Sequence, residues 1–118
     1  MTTKEIAARY NELAQTNQWH LIVDELYAQD CESIEPDNAQ FVKYVKGLDA
    51  IKEKGKMFNS MIEEMHGGYC TEPVVGGNFF SLAMGMDVTM KGVGRMNMDE
   101  VCVFEVKDGK IIKEQFFF

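Results

Sequence analysis

The chain has 118 residues, of which 46% are hydrophobic and 26% charged, a composition typical of one compact globular domain. We therefore expect a single domain spanning residues 1–118. Twelve Lys and Arg against 19 Asp and Glu give a net charge of −7, which repels a phosphate backbone. No apolar run approaches the ~20 residues of a membrane-spanning helix. Nucleic acid and membrane are thus both excluded as expected partners.

The N-terminal residues lack the charged and apolar segments of a secretory signal. The three cysteines, Cys31, Cys70 and Cys102, are odd in number and widely spaced. We therefore expect free thiols and a cytoplasmic location. Because no Cys-x-x-Cys pair, His cluster or glycine-rich phosphate loop occurs, we expect neither a metal nor a cofactor.

The first half of the chain has helical periodicity. A first helix presents the apolar stripe Ile6, Tyr10, Leu13 and Ala14. After a break at Thr16-Asn17, both competent N-caps, a second helix presents Trp19, Ile22, Val23, Leu26 and Tyr27. Apolar residues from Leu48 to Met65 then recur every three or four positions, which predicts a third helix ending near His66-Gly67-Gly68.

The second half alternates with period two and predicts strands. A short strand at 31–35 precedes the turn Pro36-Asp37-Asn38. From Tyr69 onward one face is apolar, with Phe80, Leu82, Met84, Met86, Val88 and Met90 at even positions. The next strand, 95–106, continues this face with Met96, Met98, Cys102, Phe104 and Val106, interrupted by Glu100. Helices followed by strands predict the α+β class, with helices packed on a bent antiparallel sheet.

The turn Lys107-Asp108-Gly109 sets the register of the last strand. A two-residue loop would pair Val103 with Glu114, whereas a three-residue loop with left-handed Gly109 and a bulge pairs Cys102 with Glu114. We favour the second, because it places Ile112, Phe116 and Phe118 on the same face as Phe104.

This element order resembles the cone-shaped fold of the nuclear transport factor 2-like superfamily, in particular its SnoaL-like family. The resemblance covers nearly the whole chain and is strongest at three short segments: Leu26-Tyr27-Ala28-Gln29-Asp30, Gly47-Leu48-Asp49-Ala50-Ile51 and Asp108-Gly109-Lys110-Ile111. It implies N-terminal helices lying in the concavity of a strongly bent antiparallel sheet. The fold hosts polyketide cyclases, ketosteroid isomerases, dehydratases, transport factors and association modules, so it does not by itself fix an activity.

The resemblance to ketosteroid isomerases implies three site positions. Their Arg-Tyr pair on the first helix maps onto Arg9-Tyr10, where the tyrosine would line an oxyanion hole. Their general-base aspartate, in a frame ending in Asp-Pro, maps onto Glu35 before Pro36. Their protonated aspartic acid, a worked example of a carboxylic acid held neutral, maps onto Cys102. Because a thiol is a weak hydrogen-bond donor, that oxyanion hole is incomplete here.

Two further acids, Glu100 and Glu114, fall on the inward face of the predicted sheet, where charges are rare without partners. They indicate a site unless bulges turn them outward. His66 is a candidate acid or base, or equally a partner of the third helix dipole. The other expected pocket residues are apolar or weakly polar: Cys102, Met84, Met86, Phe104, Phe116 and Trp19. Such a lining suits a small apolar or aromatic ligand, although core filling also explains most of these residues.

We therefore expect a small-molecule-binding protein that performs cofactor-free isomerisation, dehydration or cyclisation of a small carbonyl compound. Glu35 would be the base, Tyr10 would donate to an enolate oxygen, and Glu114 would be a second acid. The alternative is a non-catalytic binding or association module. We also expect a homodimer formed through the outer sheet face, where Phe79, Val101 and Phe117 add apolar area to a flat surface.

Overall fold

The computed structural model describes residues 1–40 and 42–118. Its helices are α1 (Thr3–Gln15), α2 (Trp19–Leu26) and α3 (Leu48–Ser60). Its strands are β1 (Tyr27–Ile34), β2 (Tyr44–Lys46), β3 (Ile62–Cys70), β4 (Val74–Gly76), β5 (Phe79–Met90), β6 (Gly94–Lys107) and β7 (Lys110–Phe117). The α+β class is confirmed.

The first two helices form the predicted hairpin, with different capping. A capping box closes the start of α1: the Thr2 side chain accepts from the Glu5 N–H, and the Glu5 carboxylate accepts from the Thr2 N–H. Thr16 was predicted to cap α2, but its hydroxyl donates to carbonyl oxygens of α1. The N-cap of α2 is Gln18, which makes no side-chain capping bond. Tyr27, predicted on α2, instead begins β1.

The predicted end of the third helix was wrong. Helix α3 ends at Ser60, and residues 62–70 form β3, which pairs with β5 over seven positions from Ile62↔Met90 to Cys70↔Met84. The apolar residues Ile62 and Met65 fit a helical repeat, but pairing with a strand about twenty residues later overrides that local pattern. Gly68 suits the strand because a Cβ there would lie 3.0 Å from the Gly85 carbonyl oxygen.

Within the described residues, seven strands form one open sheet in the order β2-β1-β7-β6-β5-β3, with β4 paired to β5. All pairs are antiparallel except β1 with β7, which is parallel. The sheet is therefore mixed, and the prediction of a wholly antiparallel sheet was wrong at this pair. The parallel pair joins the first strand to the last and sets Ser33 beside Glu114.

The loop and the register of the β6–β7 hairpin differ from those predicted, although Glu114 and Phe116 still point inward. Its loop has two residues, Asp108 and Gly109, both with positive φ (52° and 75°), as a type I′ turn requires. A bulge follows, so that Phe104 pairs with Glu114 and Cys102 with Phe116. Ile111 is consequently fully buried in place of Ile112, and Phe118 lies exposed beyond the strand. The inward orientation of Glu114 and Phe116 is as predicted.

The core lies between α1, α2 and the inner face of the sheet, which we define by Phe80, Leu82, Cys102 and Phe104. Tyr10 packs against both phenylalanines, and the Phe80 and Phe104 rings stack with centroids 4.7 Å apart. These aromatic rings fill the space between α1 and the centre of the sheet.

The opposite, outer face carries the odd-numbered residues of β5 and β6. Phe79, Val101 and Phe117 are each 47–49% exposed on or beside it. Their neighbours Ser81, Ala83 and Gly85 are small. The outer face is thus partly apolar, as the alternation predicted.

Candidate functional site

Glu114 lies at the centre of a buried polar network on the inner face. Only 7% of the residue is exposed. Its Oε2 accepts a hydrogen bond from the Tyr27 hydroxyl, and the Ser33 hydroxyl lies within hydrogen-bonding reach. Burial raises the pKa of Glu114, while these two hydroxyls and the charge of Lys54 oppose the rise. Glu114 is therefore a carboxylic acid stabilised in its neutral form.

Lys54 of α3 connects this network to Glu35. Its Nζ lies 2.7 Å from Glu35 Oε1 and donates to Ser33 Oγ at 2.8 Å. The same nitrogen lies over the Phe116 ring, 5.1 Å from its centroid. The Lys54 and Glu35 side chains are 18% and 16% exposed, whereas Ser33 is fully buried. The network thus runs from a partly solvent-accessible ion pair inward to Glu114 and Tyr27.

Glu100 is the third inward carboxyl group. It lies on β6 opposite Met84 of β5, and the Cys102 thiol approaches its Oε1 at 3.8 Å. Burial, followed by the charge of Glu35, raises the pKa of Glu100 to about 7. Contact with Cys102 and the charge of Lys54 oppose the rise. Because this pKa lies near neutral pH, Glu100 can both accept and return a proton under ordinary conditions.

Tyr10 is buried beside the same groups. Its pKa is raised well above the usual range by burial and then by the nearby Glu114, Cys102, Cys70 and Glu100. The phenol therefore stays protonated. Cys102 is fully buried, and burial followed by the charge of Glu100 raises the pKa of its thiol, which makes it an unreactive neutral group.

The structure thus brings together Glu35, Glu100 and Glu114 as predicted, with Tyr10, Cys102, Met84 and Phe116 around them. We refer to Glu35, Lys54, Glu100 and Glu114 as the charged cluster. No group of three or more His, Cys, Asp or Glu side chains among the described residues is arranged to hold a metal ion.

Four other predicted site residues make no hydrogen bond or ion pair with the charged cluster in the described part of the chain, although Phe104 and Trp19 both contact Tyr10. His66 is on β3, where its ring bonds Thr89 on the outer face. Trp19 is 41% exposed on α2 and touches Tyr10 edge to face. Phe104 belongs to the aromatic core, and Met86 lies opposite Met98. A ligand-binding role for these residues stays a prediction.

Sequence reasoning missed Lys54, Ser33 and Tyr27 as site residues. Lys54 follows Ile51 by three positions and precedes Phe58 by four, so it falls on the apolar stripe of α3. A charged residue on an apolar stripe is unusual, so this position already indicated Lys54 as a site residue. Ser33 alternates with Cys31 and Glu35, so the period of β1 also indicated its inward direction.

Two shallow grooves open on the outer face of the sheet. The larger has a volume of about 200 Å³ and is lined by residues of β3, β5 and β6 that include Tyr69, Gly85 and Asp99. The smaller, about 50 Å³, lies beside Phe79 and Val103. Neither groove includes the charged cluster.

The mixed sheet with helices on its inner face is the cone-like fold of nuclear transport factor 2-like proteins. The chain belongs to the SnoaL-like domain family, whose match covers residues 1–118. No curated protein matches it. No helix in the described part of the chain is long and apolar enough to cross a membrane.

Solved structures agree with this assignment. A Mesorhizobium loti protein, provisionally named a SnoaL-like polyketide cyclase and also a carbohydrate phosphatase, is 34% identical, with full coverage of both chains and a TM-score of 0.93. A protein with a ketosteroid isomerase-like fold from Catenulispora acidiphila, in complex with trimethylamine, is 17% identical over 99% of this chain and 87% of its own, with a TM-score of 0.73. TerC, co-crystallised with polyporic acid, is 17% identical over 98% and 90%, with a TM-score of 0.74.

Proposed function

We propose that this protein binds a small apolar carbonyl compound and moves a proton on it without a cofactor, as in isomerisation, cyclisation or dehydration. The observation that supports this most directly is the charged cluster, in which three carboxyl groups and one ammonium group meet on an otherwise apolar inner face. Two proteins of the same fold carry small organic molecules in their crystals, which supports binding of a small ligand here.

We assign the proton-accepting role to Glu100. The resemblance to ketosteroid isomerases points to Glu35, but the Glu35 carboxylate is paired with Lys54 at 2.7 Å. Glu100 forms no salt bridge among the described residues, and its pKa of about 7 suits proton transfer at neutral pH. Tyr10 supplies a protonated phenol nearby, and we keep Glu114 in the role of the second acid.

The proposed step is a proton shuttle. The Glu100 carboxylate takes a proton from the carbon next to the ligand carbonyl group, the C–H electron pair forms the enolate double bond, and the carbonyl oxygen takes the negative charge. Glu100 then returns the proton to the same or another carbon. No oxidant, reductant or second substrate is needed.

The test is exchange of α-hydrogens for deuterium in 2-tetralone and 2-indanone, followed by NMR in D₂O. Glu100→Gln keeps the shape of the side chain but removes the base, so exchange should fall by about 10²–10⁴-fold. Glu35→Gln releases Lys54 from its partner and removes one of the charges that raise the pKa of Glu100, but it leaves the base in place and should cost less than tenfold. The matched control is Glu105→Gln, which lies on the same strand but on the outer face.

Three results would change this assignment. A large loss in Glu35→Gln with near-normal exchange in Glu100→Gln would return the base role to Glu35. Equal exchange in the wild type and both variants would refute proton transfer at the cluster. Absence of exchange in the wild type, with a ligand still raising the melting temperature, would favour a passive pocket.

The passive pocket is the second candidate. Tyr10, Phe80 and Phe104 fill the centre of the inner face, and the two grooves described above lie on the outer face. A binding or association module needs only these features.

We further propose a cytoplasmic homodimer. The free thiols of Cys31, Cys70 and Cys102 suit a reducing compartment. Phe79, Val101 and Phe117 give the outer face exposed apolar area that a second copy would cover.

A further inference from the structure

Lys54 has an unusual set of partners for a lysine. Among the described residues its ammonium group meets two oxygen acceptors, Glu35 Oε1 and Ser33 Oγ, and the face of the Phe116 ring. An ammonium group has three N–H donors. One N–H therefore has no oxygen acceptor among these residues.

The position of Lys54 makes that donor useful. The side chain is only 18% exposed, so a hydrogen bond from it is less weakened by water than one at the surface. The charge of Lys54 also reaches Glu100 and Glu114, since it lowers the pKa of both. A small ligand near Glu100 would thus lie within the field of the ammonium group.

We propose that Lys54 binds the oxygen of the ligand, and that this oxygen carries negative charge as an enolate or phenolate beside the Phe116 ring. The inference rests on the proposed small-molecule binding at this site. The charged ammonium group of Lys54 donates a stronger hydrogen bond to an anionic oxygen than the neutral hydroxyl of Tyr10 would. In ketosteroid isomerases the negative oxygen is stabilised by an oxyanion hole, whose positions map onto Tyr10 and Cys102 here. Because the Cys102 thiol is a weak donor, Lys54 supplies the stabilisation of that oxygen instead.

The same geometry gives Glu35 a positioning role. Its carboxylate holds Lys54 in place at 2.7 Å, but it also competes with the ligand oxygen for the ammonium charge. The ligand therefore shares Lys54 with Glu35, and removing Glu35 should strengthen binding of an anionic oxygen.

The test uses 4-nitrophenol, whose absorbance distinguishes phenol from phenolate, bound to the intact protein over a range of pH. In Lys54→Met the bound probe should ionise about one pH unit higher than in the wild type, a tenfold loss of phenolate stabilisation. Lys54→Arg should restore most of it. The matched control is Lys52→Met, on the same helix, which removes an exposed lysine paired with Asp24.

Other groups around the site also affect the probe. These groups come from five elements and are distributed as follows. Tyr10 lies on α1, Tyr27 on β1 with Glu35 directly after that strand, Cys70 on β3, Glu100 and Cys102 on β6, and Glu114 on β7. All of them are retained in Lys54→Met, but removal of the ammonium charge also favours the neutral forms of Glu100 and Glu114, so the difference from the wild type measures the net loss of positive charge at the site. Glu35→Gln provides a second reading that keeps Lys54, and it should make the bound probe ionise at lower pH.

The inference is overturned if Lys54→Met and the wild type ionise the probe at the same pH, or if the wild type does not bind 4-nitrophenol. If Lys54→Met does not fold, an unchanged probe in Glu35→Gln overturns it equally. Absence of hydrogen exchange in ketones, with the Lys54 effect intact, would refute the proposed function and leave Lys54 as the anion-binding residue.

Discussion

Replacement of Glu100 by glutamine should make the stability of the fold less dependent on pH. Folding raises the pKa of this carboxyl group from 4.5 to about 7, and each pKa unit corresponds to about 1.4 kcal/mol. Ionised Glu100 therefore costs the folded state at most about 3 to 4 kcal/mol. Below pH 4.5 the group is neutral in both states and costs nothing.

The sign follows from linkage between protonation and folding. Because the folded pKa is the higher one, the wild type loses stability as pH rises from about 4.5 to about 7 and then levels off. Glu100→Gln lacks this loss. Its stability relative to the wild type should rise by at most about 3 to 4 kcal/mol between about pH 4 and about pH 8. Glu114, whose pKa is also raised, adds a pH-dependent loss common to both proteins.

Urea unfolding of the two proteins across this pH range measures the difference directly. Glu105→Gln, on the outer side of the same strand, is the control for loss of one carboxyl group. Carboxyl-carbon chemical shifts of Glu100 provide an independent titration. Parallel stability curves for the wild type and Glu100→Gln would refute the view that Glu100 is buried in a way that disfavours its charge.

Three further predictions concern packing and assembly. Phe104→Ala should destabilise the fold by about 3–5 kcal/mol in urea unfolding, because the fully buried ring stacks on Phe80; a loss below 1 kcal/mol would contradict that packing. Tyr27→Phe should cost about 1–3 kcal/mol because it removes a hydrogen bond to buried Glu114, and a neutral result would show that Glu114 finds another partner. Sedimentation at micromolar concentration should give about twice 13.5 kDa, and Val101→Lys on the outer face should shift it to the monomer; a monomeric wild type would refute the dimer.

Local periodicity determined much of this fold. The stripe of α1 and the alternation of β5 and β6 specify which side chains point inward, because both periods depend only on neighbouring residues. The inward position of Glu100 followed from that alternation, whereas that of Glu114 was predicted from a hairpin register that the structure does not have. The family was also recognised from element order and short motifs, and its match over residues 1–118 confirms it.

Tertiary structure decided what the local pattern could not specify. Pairing with β5 made residues 62–70 a strand although their apolar residues continue a helical repeat. A bulge in the last hairpin buried Ile111 in place of Ile112. Both outcomes depend on hydrogen bonds between segments distant in sequence, which no window of neighbouring residues contains.

The partners within the site depended on the fold in the same way. The sequence marked Glu35 as a strand-end acid, but only the packing of α3 on β1 brings Lys54 within 2.7 Å of it. Only the parallel pairing of β1 with β7 sets Ser33 beside Glu114. The alternation of a strand fixes the direction of a side chain, whereas its partner, and hence its charge state, is fixed by elements that meet only in the folded chain.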